Sequence, residues 1–281
     1  MHIITTPAEA TEWVALQRRN GARIGFVPTM GALHEGHLGL VRQALYENDI
    51  AVASIFVNPL QFNDPRDLES YPRQPEIDRS MLEQAGCHLL FSPEKEKILE
   101  DRPLGEVDLG GLDRHWEGPL RPGHFQGVVS IVERLFFFVR PDQAYFGEKD
   151  RQQLVILQHV AHTLRWPERI IPCPTARAED GLALSSRNAR LDAEQREQAT
   201  VLFRALTLAQ DLAFQTTAEE VERHVEALLG ETAGVSLEYF GLAAPEDLRP
   251  LQGMIARDKV IAMIAARLGA VRLIDNMTLV R

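Results

Sequence analysis

Cysteine, lysine and long apolar segments are all scarce in this sequence. Two cysteines, Cys87 and Cys173, are too few for a disulfide framework and have no partners at metal-ligand spacing. No segment approaches the roughly 18 consecutive apolar residues that a membrane-spanning helix needs. The first twelve residues carry two acids and no basic cluster before an apolar stretch, which argues against a signal peptide. We therefore expect a cytoplasmic protein with two reduced thiols and no membrane segment.

The charge balance excludes a further group of functions. The 281 residues include 30 basic and 40 acidic side chains, and both halves are acidic when the chain is divided at residue 174. An acidic chain without a basic tail or stripe argues against extended binding to nucleic acid or to anionic membranes. Only four lysines occur, at positions 95, 97, 149 and 259, so an anionic substrate must be held by a few placed cations.

The order of apolar and polar segments predicts an α/β fold. Apolar residues make up 45% and charged residues 25%, which is typical of a globular protein with one large or two smaller domains. Short apolar runs alternate with amphipathic segments, a pattern that favours a doubly wound parallel sheet with ligands at the carboxyl ends of its strands. We expect strands at 24–27, 50–57, 88–91, 143–146 and 168–171, and helices at 35–47, 76–85, 127–139 and 150–164.

The composition changes after Pro172-Cys173-Pro174, and this segment is the expected domain boundary. Beyond it we expect one long helix over 192–214, a second over 218–229, and strands at 236–242, 260–266 and 272–274. This order predicts a parallel-sheet domain over residues 1–174 and a smaller α+β domain over 175–281.

The segment Pro-Thr-Met-Gly-Ala-Leu-His-Glu-Gly-His at 28–37 follows an expected strand and opens a helix. Unpaired backbone N–H groups and the helix dipole make such a turn favourable for an anion. His34 and His37 share a helix face and can donate hydrogen bonds to a phosphate, and Gly36 lets a nucleotide lie against the backbone. A capping histidine or a zinc pair are the alternatives, but the zinc-protease spacing His-Glu-x-x-His is absent. The P-loop and Gly-x-Gly-x-x-Gly patterns are also absent, which leaves this turn as the candidate phosphate site.

Three further segments carry polar groups at comparable places. Asn58 and Gln61 lie between apolar residues at the end of the 50–57 strand. Their amide groups suit a small ligand that is partly polar and partly branched hydrocarbon. The alternative is that the segment is only an Asn-Pro turn. Lys149 and Asp150 follow the 143–146 strand and can contact phosphate, ribose or magnesium, or form a solvated charged turn. The segment 180–188 supplies Ser185, Ser186 and Arg187, which can close over a triphosphate or cap the next helix.

A fifth segment, residues 116–125, is rich in proline and glycine. It forms either a lid or wall, with Arg121 steering a carboxylate, or a plain rigid loop.

These segments together resemble the pantoate–β-alanine ligases in order and spacing. The resemblance is carried by PTMGALHEGH, SIFVNPLQF, YPR, EGPLRPGHFQGV, YFGEKDRQQL, DGLALSSRN and ARLGAVRLIDN, and it covers nearly the whole chain. It implies a Rossmann-like nucleotidyltransferase domain, a smaller C-terminal lid domain and a cytoplasmic homodimer. It also implies condensation of (R)-pantoate with β-alanine to pantothenate, using ATP and Mg²⁺, through a pantoyl adenylate with release of AMP and pyrophosphate.

The resemblance also implies roles for individual positions. The proposed catalytic residues are His34, His37, Lys149 and Arg187, with His37 as the proton donor. The substrate-binding residues are Gln61, Gln153 and Asn58. Protein ligands to the metal are not implied. The ATP-binding positions are Met30, Gly31, Ala32, Leu33, His34, Glu35, Gly36, His37, Gly147, Glu148, Lys149, Asp150, Ala176 at the adenine side, Leu184, Ser185, Ser186 and Arg187.

Two departures from the family pattern stand away from this chemistry. Ile98-Leu99-Glu100 replaces a frequent Tyr-Pro, in a region expected to be variable surface, and Leu184 replaces a methionine of some members. Two other functions stay open at this stage. One is a different adenylyltransferase acting on a small substrate, although a phosphorylated substrate would need cations that the Gln61 segment lacks. The other is a non-enzymatic nucleotide-binding regulator, against which the two histidines, Lys149 and Arg187 argue.

Overall fold

The structure is a computed structural model that describes residues 1–99 and 105–281. Its larger sheet has six parallel strands in the order β1-β4-β3-β2-β5-β6. These strands are β1 His2–Ile4, β2 Ile24–Thr29, β3 Ile50–Ile55, β4 Leu89–Phe91, β5 Gln143–Gly147 and β6 Arg169–Cys173.

Helices cover both faces of this sheet. They are α1 Pro7–Arg19, α2 Glu35–Glu47, α3 Pro65–Glu69, α4 Pro75–Gln84, α5 Lys95–Leu99, α6 Glu117–Leu120, α7 His124–Val139 and α8 Arg151–Thr163. Helices α1, α7 and α8 pack on one face in a core that includes Phe26, whereas α2 and α4 pack on the other face around Val27. Adjacent residues of one strand thus enter opposite cores, as a sheet covered on both sides requires.

The C-terminal part forms a second, smaller layer. Strands β7 Val235–Ala243, β8 Lys259–Leu268 and β9 Val271–Val280 make an antiparallel sheet in that order. Helices α9 Ala193–Gln198, α10 Val201–Leu212 and α11 Ala218–Gly230 complete the part, and α10 and α11 bury a separate apolar core against the sheet. A doubly wound parallel sheet with a smaller α+β part is therefore confirmed.

Three expectations about elements were wrong. The expected helix over 192–214 is two helices, because the Thr200 hydroxyl donates to the Glu197 carbonyl at 2.7 Å where α9 ends. The expected strand at 272–274 is the ten-residue β9, which pairs with β8 along its whole length. Ile98 is fully buried in the core and is not surface. Glu100, in the same segment, lies outside the described residues.

Strand β1 and helix α1 were not anticipated from the sequence.

Within residues 1–99 and 105–281, helices long and apolar enough to cross a membrane are absent.

Candidate active site

A cavity of about 240 Å³ opens at the carboxyl ends of β2, β3 and β5. This is the edge at which a doubly wound sheet binds its ligands. The structure brings fifteen of the predicted site residues to this one cavity: Met30, His34, Gly36, His37, Asn58, Gln61, Gly147, Lys149, Asp150, Gln153, Ala176, Leu184, Ser185, Ser186 and Arg187.

The turn between β2 and α2 holds both histidines by hydrogen bonds to its own backbone. His34 caps α2: its Nδ1 accepts from the Gly36 N–H at 3.2 Å, while Nδ1 of His37 accepts from the His34 N–H at 3.3 Å. A neutral imidazole that accepts at Nδ1 carries its proton on Nε2. Each ring therefore keeps an Nε2–H donor for a ligand. The two ring centroids are 4.1 Å apart.

Both imidazoles are neutral at physiological pH. Burial, helped by the nearby His34 ring, lowers the pKa of His37 to about 3. Burial and the positive charge of Lys149 lower the pKa of His34 to about 4. The cavity thus presents two neutral donors rather than two cations.

Gly36 is required by His34 itself. A Cβ at position 36 would lie 2.9 Å from Cε1 and Nδ1 of the His34 ring. The absence of a side chain therefore lets the ring fold back to cap the helix. The predicted reason for this glycine, a close approach of the nucleotide to the backbone, stays a prediction; Ala176, whose Cβ lies 3.4 Å from the same point, packs next to Gly36 at the cavity.

A buried carboxylate that the sequence did not reveal fixes the start of the same turn. Asp78 of α4 is 1% exposed and accepts from the Ala32 N–H at 2.9 Å and the Leu33 N–H at 2.8 Å. Gly31 precedes them with φ +79°, and a Cβ there would lie 3.0 Å from Asp78 Oδ2. Nothing in the local pattern distinguishes Asp78 from the other acids of its amphipathic helix.

The turn after β5 places a cation and an anion at the cavity. Lys149 Nζ lies 3.6 Å from Asp150 Oδ1, and the Lys149 side chain is 19% exposed. Desolvation acts to raise the pKa of Asp150, but the positive charges of Lys149, Arg187 and Arg121 outweigh it and hold the pKa below its ordinary value. Asp150 is therefore a carboxylate, and Lys149 is its nearest positive partner.

Asn58 and Gln61 are organised differently from each other. Asn58 is 2% exposed; its amide donates to Gln61 Oε1 at 3.1 Å and to the Gly127 carbonyl at 3.0 Å, and it accepts from the Leu60 N–H. Gln61 Nε2 in turn contacts the Met30 sulfur at 2.9 Å. Asn58 is occupied by protein groups, so its place in the site is to orient Gln61 and α7.

Helix α7 forms an apolar wall of the cavity. Val128, Ile131, Val132 and Leu135 all line it at the spacing of one helix face. The helix was predicted from the sequence, but its role as a cavity wall was not. The i, i+3, i+4, i+7 spacing of these four apolar residues was the available signal.

Two cationic or titratable groups at the start of α7 also line the cavity. Arg121 Nη2 donates to the Gln61 carbonyl at 3.1 Å, and His124 Nδ1 lies 2.8 Å from the same oxygen. Burial and the charge of Arg121 lower the pKa of His124 to about 4. Arg121 therefore supplies positive charge beside the expected substrate residues, and His124 does not.

The loop after the expected domain boundary reaches back over the first turn. Ser186 Oγ donates to the Ala32 carbonyl at 2.9 Å, and the Ser185 hydroxyl accepts from the Arg187 N–H at 3.2 Å. The Arg187 guanidinium forms an ion pair with Asp67 at 2.9 Å. Asp67, in the short helix α3, is another site neighbour that the sequence analysis did not identify.

Five predicted ATP-site positions do not line the cavity. Gly31, Ala32 and Leu33 form the backbone of the first turn behind the histidines. Glu35 is exposed and pairs with Arg42. Glu148 pairs with Arg151 at 3.3 Å, on the far side of the Lys149 turn.

The described residues do not form a preformed metal centre. Within residues 1–99 and 105–281, groups of three or more His, Cys, Asp or Glu side chains at metal-binding distance are absent. Among the described residues that line the cavity, Asp150 carries the only carboxylate.

Comparison with known proteins gives a consistent result over the whole chain. The family model described as pantoate-beta-alanine ligase matches residues 2–278. A pantothenate synthetase from Porphyromonas gingivalis is 44% identical over 277 residues, covering 99% of each chain. One from Herpetosiphon aurantiacus is also 44% identical, covering 99% of this chain and all of the relative.

Solved structures agree with these sequence matches. A crystal structure of pantothenate synthetase from Thermus thermophilus superposes with a TM-score of 0.91, at 44% identity and 99% coverage of both chains. The pantoate-beta-alanine ligase from Francisella tularensis, solved in complex with beta-gamma ATP and beta-alanine, gives a TM-score of 0.79 at 33% identity. That match covers 99% of this chain and 97% of the other.

Proposed function

The chain belongs to the pantoate–β-alanine ligase family and joins pantoate to β-alanine in an ATP-dependent reaction, and we propose that the cavity between the two turns is where this reaction takes place. Two kinds of side chain line this one cavity, and together they support the proposal. His34, His37 and Lys149 are suited to phosphate, whereas Gln61 and Gln153 lie beside an apolar wall suited to pantoate.

The nucleotide is proposed to bind along the first turn, where two imidazole donors and a helix N-terminus meet; the relative from Francisella was solved with beta-gamma ATP. The Nε2–H donors of His34 and His37 and the ammonium of Lys149 contact phosphate oxygens, and Ala176 and Leu184 pack near the adenine. Ser185, Ser186 and Arg187 approach from the C-terminal part. Arg187 is paired with Asp67 in this structure, so phosphate must compete with that carboxylate for the guanidinium.

Pantoate is proposed to lie between Gln61, Gln153 and the α7 wall. Its two methyl groups fit the surface formed by Val128, Ile131 and Val132, and its hydroxyl groups can bond to the glutamine amides. Asn58 holds Gln61 in place. Arg121 provides a positive charge for a carboxylate at the same end of the cavity.

In the first step a pantoate carboxylate oxygen attacks the α-phosphorus of ATP. The bond to the β-phosphate oxygen breaks, pyrophosphate leaves, and the pantoyl adenylate remains. Lys149, His34 and His37 stabilise the negative charge that develops on the phosphate oxygens. His37, expected as a proton donor, acts here as a hydrogen-bond donor, because a neutral imidazole keeps its Nε2 proton through the step. Because the enzyme only positions and stabilises, a nucleophilic cysteine or serine is not required.

In the second step the amine of β-alanine attacks the acyl carbon of the adenylate. The carbon–oxygen bond to AMP breaks, the amide of pantothenate forms, and the amine releases a proton. The loop at 185–187 covers the cavity and limits the access of water to the mixed anhydride.

Magnesium is proposed to enter with ATP. The donor set fits this arrangement, because Mg²⁺ is typically bound by substrate phosphates, water and one or two carboxylates, and Asp150 is a carboxylate at the cavity. When bound, the ion would neutralise phosphate charge and orient the leaving pyrophosphate.

Three expectations about organisation are retained as proposals. The division into domains 1–174 and 175–281 is supported by the separate apolar cores on the two sides of that boundary. A homodimer and a cytoplasmic location rest on the family resemblance, and the two free, buried thiols are compatible with a reducing compartment. Sedimentation at several protein concentrations tests the dimer.

Isotope transfer tests the reaction itself. Pantoate labelled with heavy oxygen in its carboxylate is incubated with ATP, Mg²⁺ and β-alanine, and the products are analysed by mass spectrometry. Attack at the α-phosphorus transfers one labelled oxygen to AMP and leaves pyrophosphate unlabelled. Label in orthophosphate would instead indicate an acyl-phosphate ligase, and absence of β-alanine-dependent AMP would contradict the proposed reaction altogether.

A further inference from the structure

The Asp275-Asn276 pair at the end of the ARLGAVRLIDN segment has no role in the function described so far. Both side chains are polar, lie within β9, and are only 3% exposed. Buried polar groups in a strand weaken its apolar pattern and need compensating hydrogen bonds. The question is therefore what these side chains bind.

Asn276 bonds to the turn that carries Lys149. Its Nδ2 donates to the Glu148 carbonyl at 2.9 Å and to the Lys149 carbonyl at 2.8 Å. Its Oδ1 accepts from Arg151 Nε at 3.4 Å. One side chain of the C-terminal sheet thus uses both amide protons on two successive carbonyls next to the catalytic lysine.

The Lys149 turn has two ion pairs of its own, Lys149–Asp150 at 3.6 Å and Glu148–Arg151 at 3.3 Å, and both join side chains rather than backbone groups. It is a short 3-10 segment, and Asp150 makes no side-chain capping hydrogen bond at the start of α8. A Cβ at Gly147 would meet only open space. The hydrogen bonds from Asn276 to the carbonyls of residues 148 and 149 are thus contacts to the backbone of the turn itself.

Asn276 is itself held by its neighbours. Asp275 accepts the Asn276 N–H at 2.7 Å and forms a two-point ion pair with Arg177 at 2.6 and 3.0 Å. Arg177 also donates to the Asn276 carbonyl at 3.1 Å. Since Arg177 is next to the cavity residue Ala176, the pair ties β9 to two walls of the site.

We propose that Asn276 is a positioning residue for Lys149: its amide fixes the backbone of residues 148–149 so that the ammonium meets the reacting phosphate. This inference rests on the proposed function of the cavity. It assigns to the C-terminal sheet a direct part in adenylate formation, besides that of covering the site.

The decisive variant is Asn276→Asp, which has nearly the same size but replaces two donors with a carboxylate facing two carbonyl oxygens. Pyrophosphate release is measured at saturating ATP over a range of pantoate concentrations. Because a misplacement of about 1 Å can cost on the order of a hundredfold in rate, we expect kcat to fall by ~10- to 100-fold. The KM for pantoate should change by less than about threefold, because Gln61 and the α7 wall also form the proposed pantoate site and only Gln153 follows the turn that Asn276 holds.

Thr278→Val is the matched control. Thr278 lies two residues further along β9 and accepts from Arg151 at 3.2 Å, as Asn276 does, but it does not contact the two carbonyls. It should leave the kinetics unchanged. If Asn276→Asp does not fold at the assay temperature, Asn276→Ser, which keeps one donor, is judged by the same criteria.

A double-mutant cycle separates positioning from general destabilisation. In the Lys149→Ala background, Asn276→Asp should add little further loss, because the group that it positions is absent. Losses that multiply, or an Asn276→Asp variant with ordinary kcat, would overturn the inference and leave the proposed function intact. Absence of pantoate-dependent pyrophosphate release from the unsubstituted protein would overturn the proposed function, and this inference with it.

Discussion

The two turns that carry the phosphate-binding candidates have the same place in the fold but are held in different ways. Each follows a parallel strand and opens a helix, one between β2 and α2 and the other between β5 and α8. The histidine turn is held by its own capping hydrogen bonds and by Asp78 of α4, with one further bond from Ser186 to the Ala32 carbonyl. The Lys149 turn depends on Asn276 from the other sheet.

This difference separates what the parallel sheet forms alone from what needs the C-terminal part. The groups that hold the two histidine rings, and Asp78 behind them, belong to the parallel-sheet part of the chain. The Lys149 turn and the Ser186–Ala32 contact both require residues beyond the expected boundary. We infer that nucleotide binding at the histidines survives changes in the C-terminal sheet, whereas the rate of adenylate formation does not.

The largest effect is expected at the externally held turn. Lys149→Ala removes the lysine ammonium at the cavity and should lower pyrophosphate release by about a thousandfold, because it stabilises developing phosphate charge. Circular dichroism should report an unchanged fold. Lys259→Ala, on exposed β8 surface, is the control. Ordinary pyrophosphate release from Lys149→Ala would remove this turn from the mechanism.

The self-capped turn should give the next largest effect. His34→Ala and His37→Ala each remove one Nε2–H donor and should reduce turnover by about a hundredfold. Metal content is measured in parallel by atomic absorption. Zinc that is present in the unsubstituted protein and lost together with activity would support a metal site instead of a phosphate site.

Alanine variants at Gln61 and Gln153 compare the contributions of the two turns to pantoate binding, because each glutamine lies next to one of the turns. Gln61 contacts Met30 of the first turn, and Gln153 follows the second. Alanine at either position should lower kcat/KM for pantoate by about tenfold, the value of one good hydrogen bond, with a smaller change for ATP. Unchanged pantoate saturation in both variants would contradict the assigned subsite.

Periodicity was sufficient for five of the six strands of the parallel sheet, but not for β1 or for the C-terminal part. Helix α2 has the predicted bounds of 35–47, since its capping residue and apolar face are both local signals. Strand β9 was predicted as three residues because Asp275 and Asn276 interrupt the apolar run. Asp275 and Asn276 are buried because they bond to Arg177 and to the backbone of residues 148–149, and such distant contacts cannot be read from the local sequence.

The same limit applies to the site. Motif residues at strand ends were brought together as expected, because carboxyl ends of parallel strands share one edge. Asp78 and Asp67 were missed, since each acts on a turn or loop far along the chain. Asn58, which stays a predicted substrate residue, lines the cavity, and local sequence does not reveal that its amide also bonds to Gln61 and Gly127.

Asp78 offers a smaller test of how the first turn is held. Asp78→Asn keeps the size of the side chain but replaces one of two buried acceptors with a donor that faces an N–H group. We expect a loss of about 1–3 kcal/mol in the free energy of unfolding, measured with urea at neutral pH. The same substitution at exposed Asp258 should have little effect. Equal stability of the two variants would show that Asp78 does not hold the turn.

At neutral pH the smallest effect is that of the His37 titration, which appears only under acid conditions. The pKa of His37 is about 3 in the folded chain against 6.5 for the free side chain. Between these values the unfolded chain binds a proton that the folded chain does not, so this stability is present above pH 6.5 and is lost as pH falls.

The free energy of unfolding that depends on this group changes by about 1.4 kcal/mol per pH unit at most. His37→Gln removes this titration, while a glutamine at this position can still accept from the His34 N–H. Urea unfolding from about pH 7 to about pH 4.5 should therefore be less steeply pH-dependent in His37→Gln than in the unsubstituted protein. If the free energy of unfolding changed with pH equally in both proteins, the first turn would not keep His37 neutral. The difference between a turn with neutral donors and a turn with a cation, Lys149, would then be lost.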